Sequence, residues 1–204
     1  MIRQYEVLYK AFDLFNEHYF DNELPPCMIT LQKKRENNNG HFVAEPTWFN
    51  NKSDDETYEI NINPINMNRE PEEILATLEH EICHYYCTLH NIKDVKSGGK
   101  HTIEYKNVCE SHGLNCELDE DKGYNQTSLN DESIELVEDL IEEYKDDFWY
   151  MMVEKKPVKK TQFKYVCESC GLKVYAKAEK SIVCGDCGCE LVMEQIEDEN
   201  ESED

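Results

Sequence analysis

Four cysteines near the C-terminus constrain this 204-residue chain more than any other feature. Cys167-Glu-Ser-Cys170 and Cys184-Gly-Asp-Cys187 form a C-x2-C-x13-C-x2-C pattern. Thiolates two residues apart can aim both sulfurs at one ion, and Gly171, Gly185 and Gly188 permit the tight turns around it. Four sulfurs close a tetrahedral site and leave no position open for chemistry, so the expectation is one structural Zn2+. Strand-like Lys173-Val174-Tyr175 and Leu191-Val192-Met193 around the cysteines predict a zinc ribbon. Cys189 lies close by and is a substitute for Cys187, but the paired spacing favours Cys187. Cys27, Cys83, Cys87, Cys109 and Cys116 read as buried or partly buried thiols.

Charge divides the chain. The formal net charge is −23. Residues 131–148 carry nine acids against one lysine, and residues 194–204 carry seven acids and no base. Residues 155–193 carry eight lysines against four acids. The expected organisation is a domain over 1–154, the ribbon over 155–193 and a disordered acidic tail over 194–204. Lys155, Lys156, Lys159 and Lys160 are the candidate phosphate contacts, so DNA is a candidate partner through the basic segment, although the acidic stretches oppose it. No apolar run approaches the roughly 20 residues of a membrane span, so no membrane partner is expected. The N-terminus opens on an amphipathic pattern rather than an apolar leader, and the expected location is the cytoplasm. Spaced cysteines in that compartment point to metal rather than disulfides.

Within 1–154, Tyr5, Leu8, Tyr9, Phe12, Phe15 and Tyr19 recur at helical spacing and predict a helix over 4–20. Short strands are expected at 28–31, 41–45 and 58–63, with loop over 50–56. Pro71 suits a first helical turn, and Ile74, Leu75, Leu78, Ile82 and Tyr85 carry an apolar stripe to about Leu89. Further helices are predicted over 102–112, closed by Gly113, and across Ile134 to Phe148.

The second of these helices contains His80-Glu81-Ile82-Cys83-His84. Residues four apart on a helix differ by about 40° in azimuth, so both histidines share a face and can share one zinc ion. Glu81 on the neighbouring face can take a proton from a water held there. The expected activity is zinc-dependent cleavage of peptide bonds in a protein substrate, with a second, catalytic Zn2+. The alternative is a non-catalytic zinc-binding adaptor for nucleic acid or transcription that uses the ribbon.

The third ligand has three candidates. His90 stands at the metzincin spacing, but Cys87 occupies the position where those enzymes turn on glycine. His101 follows the Gly98-Gly99 loop, and Glu104 lies one turn later. Spacing ranks His101 first and leaves all three open. His41 and His112 read as ordinary surface or core histidines. Ser97-Gly-Gly-Lys100 fails as a phosphate loop, with Asp94 and His101 where that motif needs Gly and Ser or Thr.

Three segments together resemble the SprT-like family, which includes the Spartan proteases. These are Phe15-Asn-Glu-His-Tyr-Phe-Asp-Asn-Glu-Leu-Pro-Pro26, then Leu78–His84 with Gly99-Lys-His-Thr-Ile-Glu-Tyr105, then Tyr165–Gly171 with Cys184–Gly188. The resemblance covers about residues 5–115 and 163–193. It implies a compact zincin-like α+β domain, with helices packed on a small sheet and followed by a small zinc ribbon, with His80, His84 and His101 on catalytic zinc, and Glu81 as base. Family members include proteases that digest proteins crosslinked to DNA. The chain departs from the family pattern at Thr102 and Cys189, where Gly is usual.

Overall fold

A computed structural model describes residues 2–34, 38–120, 123–153 and 162–194. Lys155, Lys156, Lys159 and Lys160, and the tail beyond Glu194, lie outside the described residues. The chain divides into two compact units, Met1–Glu154 and Lys155–Asp204. Both mix helix or turn with small sheets, and the class is α+β. Among the described residues no helix is long and apolar enough to cross a membrane.

In the first unit, α1 (Gln4–Tyr19) buries Val7, Leu8, Ala11, Phe12 and Phe15. It ends where Asp21 and Asn22 take left-handed backbone conformations, and the Asn16 side chain brackets the turn by bonding both N and O of Leu24. The chain then enters a three-stranded sheet of β1 (Met28–Thr30), β2 (Gly40–Asn50) and β3 (Asp55–Ile62), ordered β1-β3-β2. β1 runs parallel to β3, and β2 antiparallel, with Ile29 and Phe42 both opposite Ile60. The loop expected over 50–56 shrinks to a four-residue turn, because β2 and β3 continue pairing out to Asn50 and Asp55.

Pro71 opens α2 (Pro71–Leu89) behind a reciprocal cap between Glu70 and Glu73. Its apolar face lies on the sheet, with Tyr85 against the rings of Phe42 and Tyr58. After α2 come α3 (Ile103–Ser111), the hairpin β4 (Leu114–Asp119) and β5 (Gly123–Leu129), and α4 (Asp131–Tyr144). Asn130 caps α4 by accepting the Ser133 N–H, which starts the helix before its apolar stripe does. The helix stops at Tyr144, and Phe148 is buried from the turn beyond it.

In the second unit, β6 (Phe163–Val166), β7 (Lys173–Ala176) and β8 (Val192–Met193) form an antiparallel sheet ordered β7-β6-β8. Its core consists of Tyr165, Cys167, Cys184 and Leu191.

One residue of α2 works against the fold. Glu79 is fully buried, and neither carboxyl oxygen has a hydrogen-bond partner. Burial pushes its pKa well above the usual carboxylate range, so it is held as the acid, near Tyr19 and Cys83. A carboxyl whose folded pKa exceeds its unfolded value contributes fully below about pH 4.5, and the stability falls as pH rises above that. Glu79→Met is therefore expected to stabilise the chain by about 1–3 kcal/mol. The gain should be larger at pH 8 than at pH 5, read from urea midpoints at both. Equal midpoints for both proteins would show that Glu79 has a compensating partner.

Candidate metal centre

Helix α2 forms the floor of a cleft of about 1190 Å³ and presents His80, Glu81 and His84 along it. β2 makes one wall through Gly40, His41 and Phe42, and β5 the other through Gln126, Thr127 and Leu129. His101 enters from the chain between α2 and α3. There Gly98 and Gly99, both with positive φ, reverse the backbone so that Val95 and His101 pair. His101 also bridges to Gly123 at the start of β5.

The three imidazoles converge. Ring centroids stand 4.9–5.0 Å apart, and the Nε2 atoms of His84 and His101 are 3.1 Å apart. One nitrogen from each lies within 4.8 Å of the others. Two nitrogens bound tetrahedrally at 2.0–2.1 Å from one zinc would be about 3.3 Å apart, so the spacing suits a shared ion. Burial, then the neighbouring His84 and His101, hold the His80 pKa well below its usual value. The neutral imidazole this favours is the form that binds metal.

Two of the rings, His84 and His80, are oriented from behind. His84 Nδ1 donates to Asp94 Oδ2 at 2.6 Å, which leaves Nε2 to face the cleft. Burial acts to raise the Asp94 pKa, but the hydrogen bond and charge of His84 outweigh it and keep Asp94 below the usual value. His80 Nδ1 meets Thr127 Oγ1 at 3.2 Å. Tyr105 stacks on His84, with centroids 4.2 Å apart, and its hydroxyl donates to the His80 backbone carbonyl. Thr102 ties these parts together. Its hydroxyl donates to the Lys93 carbonyl and accepts the Tyr105 N–H that caps α3, while its own N–H donates to the Asp94 carbonyl.

Glu81 is buried beside the metal face. Burial pushes its pKa up to about 7, against the charge of His84 and a hydrogen bond from the Phe42 N–H. A carboxylate with a pKa near neutrality is well matched to accept and return a proton. Gly40 makes the space: a Cβ there would sit 2.7 Å from Glu81 Oε1 and 2.7 Å from Thr77 Cγ2.

The other third-ligand candidates lie elsewhere. His90 ends α2 on an exposed surface, its ring tilted against Tyr86 and 3.2 Å from Glu23. Glu104 is exposed on the first turn of α3. His41 lines the cleft wall, whereas His112 stacks on Phe20. Asp94, Thr127 and the Gly40 gap were not marked by the sequence: a lone Asp ten residues after His84 carries no motif. Asp94→Asn, which keeps the shape and removes the charge, is expected to weaken metal binding 10–100-fold in competition with a chromophoric chelator. Unchanged affinity would assign Asp94 only to the loop.

In the second unit, the Sγ atoms of Cys167, Cys170, Cys184 and Cys187 also lie within 4.8 Å of one another. Cys170 and Cys184 sulfurs are 3.6 Å apart, near the roughly 3.8 Å of tetrahedral thiolates around zinc. The two halves repeat one turn: Gly171 N–H bonds Cys167 O, and Gly188 N–H bonds Cys184 O.

With both clusters described, comparison with known proteins decides the family. The model of the SprT-like family matches residues 8–118, which is 111 of 204 residues. The chain belongs to the SprT-like family. The matched span contains all but the first four residues of α1, the whole three-stranded sheet, α2, α3 and the three converging histidines, so the SprT-like region and the His cluster coincide. That family is associated with a metallopeptidase-like domain. A 31-residue stretch is 58% identical to an uncharacterized protein in the mucB 3' region of Salmonella typhimurium. The stretch covers 15% of this SprT-like chain and 42% of that protein, so the match spans less than half of the relative. No solved structure matches the chain.

Proposed function

We propose that the chain is a zinc-dependent metalloendopeptidase that cleaves protein substrates, with His80, His84 and His101 holding the metal. The observation that carries this reading is the convergence of three imidazoles beside a buried carboxylate in an open cleft. When bound, zinc supplies a water of lowered pKa and polarisation of the scissile carbonyl. Glu81 takes the proton from the attacking water and returns it to the leaving amine. The Phe42 N–H holds the Glu81 carboxylate in place, and Gly40 leaves room for it. β2 is the edge of its sheet, and Gly40–Ala44 border the cleft, so an extended peptide can lie alongside it. None of the ten cysteines is in a disulfide, in keeping with the cytoplasm. Four of them form the ribbon's structural zinc site.

The test is digestion of an unfolded protein such as casein. Cleavage should stop with 1,10-phenanthroline and return with added zinc. Cleavage that survives removal of both metals would overturn the reading.

A second reading gives the ribbon a nucleic-acid role, as recruiter or as the chain's sole activity. Lys173 and Tyr175 share the outer face of β7, Lys164 stands opposite Tyr175, and Tyr175 is 64% exposed. An aromatic between lysines suits base stacking and phosphate contact, and Lys155, Lys156, Lys159 and Lys160 are the further phosphate contacts that the sequence offers. Binding to single-stranded DNA that weakens with salt and with Tyr175→Ala supports this role; salt-independent binding opposes it. A protein with one zinc and no peptidase activity would leave the adaptor role alone.

A further inference from the structure

The ribbon holds five cysteines, and its metal needs four. The fifth, Cys189, is half-buried and follows the second knuckle directly. Its sulfur lies 3.2 Å from that of Cys167, closer than the 3.6 Å between Cys170 and Cys184. The contact is built into the backbone. The Cys184 N–H bonds the Cys189 carbonyl, and the Leu191 N–H bonds the Ile182 carbonyl, which closes the 182–191 turn over Cys167. Cys167 is fully buried at the centre of the small core, whereas Cys189 retains access to solvent.

We propose that Cys189 is an oxidation site through which peroxide unlocks the ribbon, by joining Cys189 to Cys167 and expelling the metal. This rests on the reading that Cys167, Cys170, Cys184 and Cys187 hold zinc. Cys189 is then the thiol not engaged by the ion, and it meets oxidant first. Its sulfur attacks one oxygen of hydrogen peroxide, the O–O bond breaks, and sulfenic acid and water form. The Cys167 sulfur attacks the sulfenic sulfur, the S–O bond breaks, and the oxygen leaves as a second water. The net change is two thiols plus hydrogen peroxide to one disulfide and two waters. The thiols lose two electrons and the peroxide gains them. Where Cys167 starts as a thiolate, one proton comes from solvent. The sulfurs need to approach by about 1 Å to reach bonding distance. A disulfide sulfur is a poor zinc ligand, so the ion is left with three thiolates in a site that had four. Among the described residues the fully buried core around it consists of Tyr165, Cys184 and Leu191 besides Cys167, and a core so small cannot hold the turn unaided.

The experiment uses the full zinc-loaded chain and its Cys189→Ser variant, counts zinc first, then adds hydrogen peroxide with a zinc-sensitive dye. Both proteins should start with two zinc ions per chain. The wild type should then release one, and peptide mapping should find Cys167 linked to Cys189. Reductant with added zinc should restore two. Cys189→Ser should release zinc about tenfold more slowly. Equal release rates, or a disulfide joining other cysteines, overturns the proposal; the mapping stands even if the variant folds poorly. A variant that starts one zinc short makes Cys189 a ligand and also overturns it. A wild type with no ribbon zinc before oxidation overturns the ribbon reading together with the proposal.

Discussion

Glu81→Gln will keep two zinc ions per chain and lose protein cleavage by roughly 10²–10⁴-fold, the range of a general base removed from its site. Glutamine matches glutamate in shape. Its carbonyl can still accept the Phe42 N–H, and it fills the same space against Gly40. The substitution removes only the capacity to hold a proton. Because Glu81 is buried and burial opposes its charge, the neutral amide should not destabilise the helix. Zinc content by atomic absorption and cleavage of an unfolded protein separate the outcomes. Loss of the metal would make Glu81 a ligand rather than a base, and retained cleavage would remove it from the reaction.

If the four cysteines hold zinc as proposed, Cys184→Ser will cost the second unit that metal and its fold. Among the described residues, four fully buried ones, two of them cysteines, make up the core of the second unit, with a few partly buried side chains such as Phe163 and Ile182 against them. A segment of that size cannot bury enough apolar surface to offset the entropy of ordering it. Metal binding contributes about 10–16 kcal/mol in zinc modules of this kind, so its loss is decisive. The expected result is one zinc ion per chain, rapid amide exchange across residues 162–194, and unchanged exchange within α1, α2 and the β1-β3-β2 sheet. Those elements have a core of their own around Phe15, Ile60, Ile82 and Tyr85. Persistent protection of β6 and β7 without metal would show that apolar packing, and not the ion, holds the ribbon.

How legible these features were depended on how local their causes are. α2 was readable because its cap, its apolar stripe and its His-Glu-x-x-His motif all lie within twenty residues. His90 diverges from the cluster for a reason also visible locally: Cys87 continues the helix, which delivers His90 to the exposed end. Other features need tertiary context. The β4–β5 hairpin went unread because it buries mainly Leu114 and Leu129 at its open end, while Leu118 is exposed, so no alternation marks it. Only the closure of the 93–102 loop by Thr102 makes Asp94 a partner of His84. Thr102 shows why a departure from a family pattern is not a defect by itself, since its hydroxyl and N–H make three of the bonds that position this loop. β7 was visible through Lys173-Val174-Tyr175, but β6 was not, since only Tyr165 of its four residues is fully buried.

The central claim is that His80, His84 and His101 together hold a catalytic metal, and His101 is the member the sequence left open. The measurement is zinc content after dialysis against a weak chelator, with cleavage in parallel, for wild type, His101→Ala and His90→Ala. The account predicts two zinc ions and cleavage for wild type, one ion and no cleavage for His101→Ala, and wild-type values for His90→Ala. His90 gives up an exposed pair with Glu23, worth about 0–1 kcal/mol, and a surface ring contact with Tyr86, neither of which touches the cluster. A His101→Ala protein that keeps both ions and cleaves, or a His90→Ala protein that loses either, would contradict the account.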